Sequence, residues 1–203
     1  SIYTAVAETG LFLYKFGRSV TMPVHGEGST PYNVVCENLS RGLHTLLLLE
    51  ADLEGGRYVS VGEAVERLLE AEERMGRGFL DGDTLMVGAA RIGWEDQQII
   101  ADRAEHLAKK DFGRPPHVLV VPGNLHFMEA EALKTLANCP EELLQKRVKA
   151  ARTIVEVVRK YLRSVDRVLD EVRESSQGLD ERAREVLEEA ERYFMDAKHY
   201  FDR

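Results

Sequence analysis

The apolar side chains of this chain change period near Pro140, and that change limits the folds open to it. Before it, apolar runs are short and alternate with helical patterns. After it, Leu144, Val148, Ala151, Val155, Val158, Leu162, Val165, Leu169 and Val172 step by alternating four and three residues. That spacing is a heptad seam, the pattern of helices packed on helices. Pro140, followed by Glu141 and Glu142, is a strong helix start: proline lacks an amide that the first turn leaves unsatisfied, and carboxylates suit the positive end of the helix. Ser175-Ser176-Gln177-Gly178 interrupts the seam, which resumes at Leu179, Ala183, Val186, Ala190, Tyr193, Ala197 and Tyr200. The pattern predicts an all-α antiparallel helical hairpin over residues 141–203. Lys146, Arg147, Lys149 and Arg152 make its first arm basic, and Glu185, Glu188, Glu189 and Glu191 make its second acidic. Opposite charge on the arms favours their pairing, weakly where they are exposed.

Residues 1–140 predict an α/β domain. His44 to Glu50, Thr84 to Ala90 and His117 to Val121 are apolar runs of strand length, the last stopped by Pro122-Gly123. Tyr32 to Leu39 and Phe127 to Leu136 read as helices. Ser60-Val61-Gly62-Glu63 is a capping box opening a helix that carries Val65, Leu68 and Leu69 on one face and ends near Gly76. Gln98 to Arg103 is either a strand or the start of the helix that ends near Lys110.

Composition excludes several classes of partner. The net charge is −8, of which residues 1–140 supply 13 basic and 20 acidic side chains. An acidic surface argues against a nucleic-acid backbone as partner. No apolar run is long enough to span a membrane. The six histidines are scattered without metal-ligand spacing, so no metal is expected. Cys36 and Cys139 suggest neither a metal site nor a disulfide framework, which suits a reducing cytoplasm. Asn38-Leu39-Ser40 fits a glycosylation sequon that a cytoplasmic chain would not use.

Taken residue by residue, Leu49 and Ile92 read as core positions. His117, after two prolines, reads as the residue that enters a strand, and Ser1 as a helix N-cap. Arg91 suits either bidentate binding of a carboxylate or a structural pair. His25 to Pro31 is a glycine-containing loop, read as plain surface or as a lid over a substrate. Trp94 and the aromatics Tyr193, Phe194, Tyr200 and Phe201 read as packing residues. No catalytic constellation is visible.

Five stretches, in order and spacing, resemble the archaeal diphthine synthases. They are Ser1-Ile2-Tyr3-Thr4-Ala5-Val6 through Tyr14-Lys15-Phe16-Gly17; Glu37-Asn38 through Arg41-Gly42-Leu43-His44-Thr45-Leu46-Leu47; Asp83-Thr84-Leu85 through Ala90-Arg91-Ile92-Gly93; Asp111 through His117; and Val121-Pro122-Gly123-Asn124-Leu125-His126. The resemblance implies the carboxyl-terminal domain of a tetrapyrrole-methylase-like fold, a mixed sheet with flanking helices, over residues 1–140. The family's glycine-rich strand end and Pro-Gly-Asp-Pro loop have no counterpart here, so the amino-terminal domain is expected to be missing. The implied activity is methyl transfer from S-adenosylmethionine, with S-adenosylhomocysteine as product. The implied substrate is the amino group of the modified histidine of translation elongation factor two, in diphthamide biosynthesis. A cytoplasmic homodimer is also implied. Ser1, Ile2, Leu49, Ile92 and His117 match the family's cofactor contacts. Methyl transfer needs orientation and exclusion of water more than acid–base groups, in keeping with the absence of a visible triad. The competing expectation is a non-enzymatic binding or assembly module, built on a relic α/β domain and the hairpin. The hairpin lies outside the resemblance and is similar only loosely to a small helical domain of archaeal proteins.

Overall fold

The computed structural model describes residues 6–52 and 55–145, then Leu162, Val165, Val168, Leu169 and Val172, and residues 181–201. The chain divides into two compact units, Ser1–Val148 and Lys149–Arg203.

The first unit is built on a mixed five-stranded sheet in the order β1-β2-β7-β5-β6. Its strands are β1 (Val20–Met22), β2 (Thr45–Leu49), β5 (Leu85–Ala90), β6 (Gln98–Arg103) and β7 (His117–Val121). β1 runs parallel to β2; the β2–β7, β7–β5 and β5–β6 pairs are antiparallel. β3 (Ala51–Asp52) and β4 (Arg57–Tyr58) form a separate small hairpin. The helices are α1 (Ser29–Ser40), α2 (Val61–Met75), the single turn α3 (Ala104–Leu107) and α4 (Phe127–Leu136).

Side chains alternate across a strand, and here both faces of the sheet are covered. Leu47, Met86, Leu119 and Val121 meet Tyr32, Val35 and Cys36 of α1 and Val61, Val65 and Leu68 of α2. Leu46, Leu85, Val87 and Val120 meet Val6, Leu11 and Leu133 on the other face. Leu143 and Leu144 join that second core from residues 141–145, which are helical. Leu144, the first position of the heptad seam, therefore packs with the α/β unit.

α2 begins at Ser60, whose hydroxyl accepts a hydrogen bond from the Glu63 amide at 3.1 Å, and ends at Gly76 with φ 62°. Glu63 does not complete the expected box: its carboxylate turns to the Arg67 guanidinium one turn on. A full capping box stands instead at α4, made by His126 and Glu129. Asn38 is buried. Its amide donates to the Arg18 carbonyl and the Thr45 hydroxyl, both at 2.9 Å, so the apparent sequon is a structural link between α1 and β2.

Within the second unit, α5 (Glu181–Phe201) and the described residues between 162 and 172 are helical. The seam positions from Val148 to Val158, and the break at 175–178, lie outside the described residues. Leu162 and Leu169 are half-buried, as are Leu187 and Phe194, which the seam did not include. Ala190, a position of the resumed seam, is exposed.

Candidate functional site

The register of the sheet brings three of the five candidate positions together. β2 and β5 both end where β7 begins. Leu48 pairs with Val118, so Leu49 stands one step further, beside His117. His117 pairs with Ala90 on its other side. Ile92 follows Ala90 by two residues, past Arg91 in the left-handed conformation (φ 51°). Leu49, His117 and Ile92 thus lie at one end of the sheet although 68 residues separate Leu49 from His117 in sequence. Ser1 and Ile2 lie outside the described residues.

Leu49 and Ile92 are half-buried, and Leu49 packs against the first core cluster. His117 is 3% exposed, and neither ring nitrogen has a hydrogen-bond partner. The rings of Tyr58 and Phe112 meet the imidazole edge-on, at 5.5 and 6.2 Å between centroids. Burial presses its pKa below the ordinary value. The backbone of Arg114 and Gly113 opposes this, and the charge of Arg91 reinforces the lowering. The ring is therefore neutral at pH 7, with one donor and one acceptor unmatched. An enclosed polar group in that state is costly unless something completes it.

Arg91 is not a free carboxylate receptor. Its Nη1 donates to the carbonyls of Phe112 and Arg114, both at 2.6 Å, and its Nη2 to that of Asp96 at 3.1 Å. Nε lies 2.8 Å from Asp96 Oδ2, an ion pair without hydrogen-bond alignment. The reading as a structural arginine holds: its guanidinium braces the 91–97 loop against the 111–116 loop beside His117. Trp94, expected to be packed, is half exposed at the rim, with the Arg114 guanidinium 4.9 Å above its ring. The 25–31 loop is tethered at both ends. Arg67 donates to the carbonyls of Pro23 and Val24, and Arg74 to the Ser29 hydroxyl. Those ties favour plain surface over a lid.

A second polar cluster escaped the sequence reading. At the opposite end of the sheet, His44 and Glu129 are fully buried. Glu129 Oε1 meets His44 Nε2 and the Phe12 amide, both at 2.9 Å. Its Oε2 accepts from the His126 amide at 2.8 Å and from Lys15. His44 Nδ1 accepts from the Gly123 amide at 2.9 Å, so the proton of the neutral ring sits on Nε2. Burial alone would raise the Glu129 pKa, but the bonds from His44, Lys15, His126 and Phe12 outweigh it and bring it to about 2. Phe12 and Lys15 lie on one segment, His44 on a second and His126 at the head of α4, so the cluster joins three segments and reads as structural. Its one sequence signal was the pair of histidines His44 and His126 in stretches otherwise apolar.

Among the described residues, no three His, Cys, Asp or Glu side chains are grouped to hold a metal, and no helix is long and apolar enough to cross a membrane.

A mixed sheet flanked by helices on both faces, with a buried imidazole at the meeting of three strand ends, has the architecture of the tetrapyrrole-methylase fold. Within that class the chain is related to the diphthine synthases. It is 47% identical over 149 residues to the diphthine synthase of Methanosarcina barkeri, covering 69% of this chain and 55% of that one. It is 43% identical over 143 residues to that of Methanocaldococcus jannaschii, covering 68% and 56%. A solved crystal structure of diphthine synthase superposes with a TM-score of 0.61 at 39% identity, over 71% of this chain and 54% of that one. The chain thus spans about half the length of the curated relatives it matches. No family model matches it.

Proposed function

We propose that residues 1–140 supply the carboxyl-terminal half of a diphthine synthase, which transfers a methyl group from S-adenosylmethionine to the amino group of the modified histidine of elongation factor two. On this reading the enzyme works in the cytoplasm as a homodimer. The observation that carries the proposal is the unmatched His117 imidazole between Leu49 and Ile92. A nucleoside offers both a donor and an acceptor on its base and ribose, so the residues present suit the cofactor. Leu49 and Ile92 supply apolar walls, and His117 a hydrogen-bonding partner once Tyr58 yields its place. Ser1 and Ile2 complete the proposed set, with their amides toward the carboxylate of the cofactor. The cofactor itself brings an activated methyl group. The chain's part is to hold it in line and keep water out.

Half a cleft buries and orients a ligand poorly. The chain alone is therefore expected to bind S-adenosylhomocysteine weakly or not at all in calorimetry. Binding at micromolar affinity or better, about −8 kcal/mol, would contradict this. Fused to the amino-terminal half of the Methanosarcina barkeri relative, the chain is expected to bind it. Leu49→Arg in that fusion puts a charge into an apolar slot and is expected to abolish binding. A folded variant with unchanged affinity would remove Leu49 from the site.

A further inference from the structure

Two rings cover the His117 imidazole, and they are held very differently. Phe112 is 2% exposed and belongs to the first core cluster, where it packs close against the backbone at Gly88. It is a fixed wall. Tyr58 is 36% exposed. Its strand, β4, is two residues long and pairs with the equally short β3, and both strands are exposed along their whole length. The phenol donates to the Gly113 carbonyl at 3.4 Å, near the outer limit of a hydrogen bond. The neighbouring Arg57 meets Glu63 at 3.6 Å, an ion pair of partly exposed groups that adds little strength. At Val59 the chain rejoins the core: that residue is 1% exposed, and its amide donates to the Glu50 carbonyl at 2.9 Å.

The closed arrangement also carries a cost. With Tyr58 in place, His117 is 3% exposed and neither ring nitrogen is bonded. Turning Tyr58 aside gives up an apolar contact at the surface and returns a donor and an acceptor to water or to a ligand. A loosely held ring over a polar group that gains on opening is an element with two accessible positions. We infer that Tyr58 is a gate over the His117 end of the sheet. Closed, its ring stands where a ligand would meet the imidazole; open, it swings out about the anchored Val59 and leaves both nitrogens free to pair. The gate follows from the packing around His117 and does not rest on the methyltransferase reading. Taken with that reading, it names the side chain that moves before the cofactor enters, and the apparent affinity is lowered by the fraction of molecules that are closed.

The test is access to the His117 nitrogens in the whole chain. Diethyl pyrocarbonate acylates neutral imidazole nitrogens, and peptide mass spectrometry reads each histidine separately. His44 is the internal reference. It is fully buried with both nitrogens engaged, by Glu129 and by the Gly123 amide, so it reacts through global unfolding. Below the urea transition, His117 is expected to react about tenfold faster than His44 or more, because local opening suffices. Its rate should barely change with urea, while that of His44 climbs steeply. Tyr58→Ala is expected to raise the His117 rate by about a further tenfold and to leave His44 unchanged, whereas a variant that is merely less stable raises both. A His117 rate that climbs with urea in step with His44 would overturn the gate. So would a Tyr58→Ala variant in which the ratio of the two rates is unaltered. In the fusion with the relative's amino-terminal half, saturating S-adenosylhomocysteine is expected to protect His117. Failure of that protection, with the urea and Tyr58→Ala results intact, would count against the cofactor reading and leave the gate standing.

Discussion

Glu129 is fully enclosed and nevertheless charged, and its four bonds reach two loops and the start of α4. Its pKa is depressed, so the carboxylate stabilises the folded state above its ordinary value of 4.5. That contribution is lost as the pH falls toward about 2. Urea unfolding across that window is expected to show stability declining with acid. In Glu129→Gln, stability at pH 7 should drop by about 3–5 kcal/mol, because Lys15 is left half-enclosed without its counter-charge. The slope between pH 4.5 and 2 should flatten. An unchanged acid slope would show that another group sets it. At the other end of the sheet, His117 illustrates how much of a site one residue conceals. Its type and place after two prolines were legible in the sequence. Its burial and its two unmatched nitrogens arise from Tyr58 and Phe112, which no local pattern ties to it.

At the scale of elements, legibility followed burial on two faces. β2, β5 and β7 stood out because both of their faces are covered, which makes the apolar runs nearly continuous. β1 was missed: Val20–Met22 is three residues long and ends against Pro23. β3 and β4 were missed because their residues are exposed and carry no apolar alternation. Gln98 to Arg103, read as strand or helix, is a strand, followed at once by the turn α3. Leu49 and His117 were each nameable, but their adjacency comes from strand register, a long-range property. The packing of α2 on β5 depends on an absent side chain. A Cβ at Gly88 would stand 2.6 Å from Phe112 Cζ and 2.8 Å from Val61 Cγ1. Gly88→Ala is therefore expected to cost about 1–3 kcal/mol in chemical denaturation. A loss under half a kcal/mol would mean that Phe112 moves aside freely. Since Phe112 also touches the His117 ring, the same variant should disturb the environment of His117.

For the whole molecule, the two units answer to different physics. The α/β unit buries both faces of a sheet and offers one incomplete polar group at three strand ends. In the tail, the described side chains of Leu162, Leu169, Leu187 and Phe194 are only half-buried. The incomplete polar group of the α/β unit points to a ligand. The claim that the end of the sheet around His117 meets the cofactor is the central one. It is tested most directly by ring-nitrogen NMR of His117, in the fusion with the relative's amino-terminal half, as S-adenosylhomocysteine is added. The expected result is a saturable shift of at least one His117 ring nitrogen, following the calorimetric binding curve and absent in Leu49→Arg. Calorimetric binding that leaves both His117 nitrogens unmoved would contradict it.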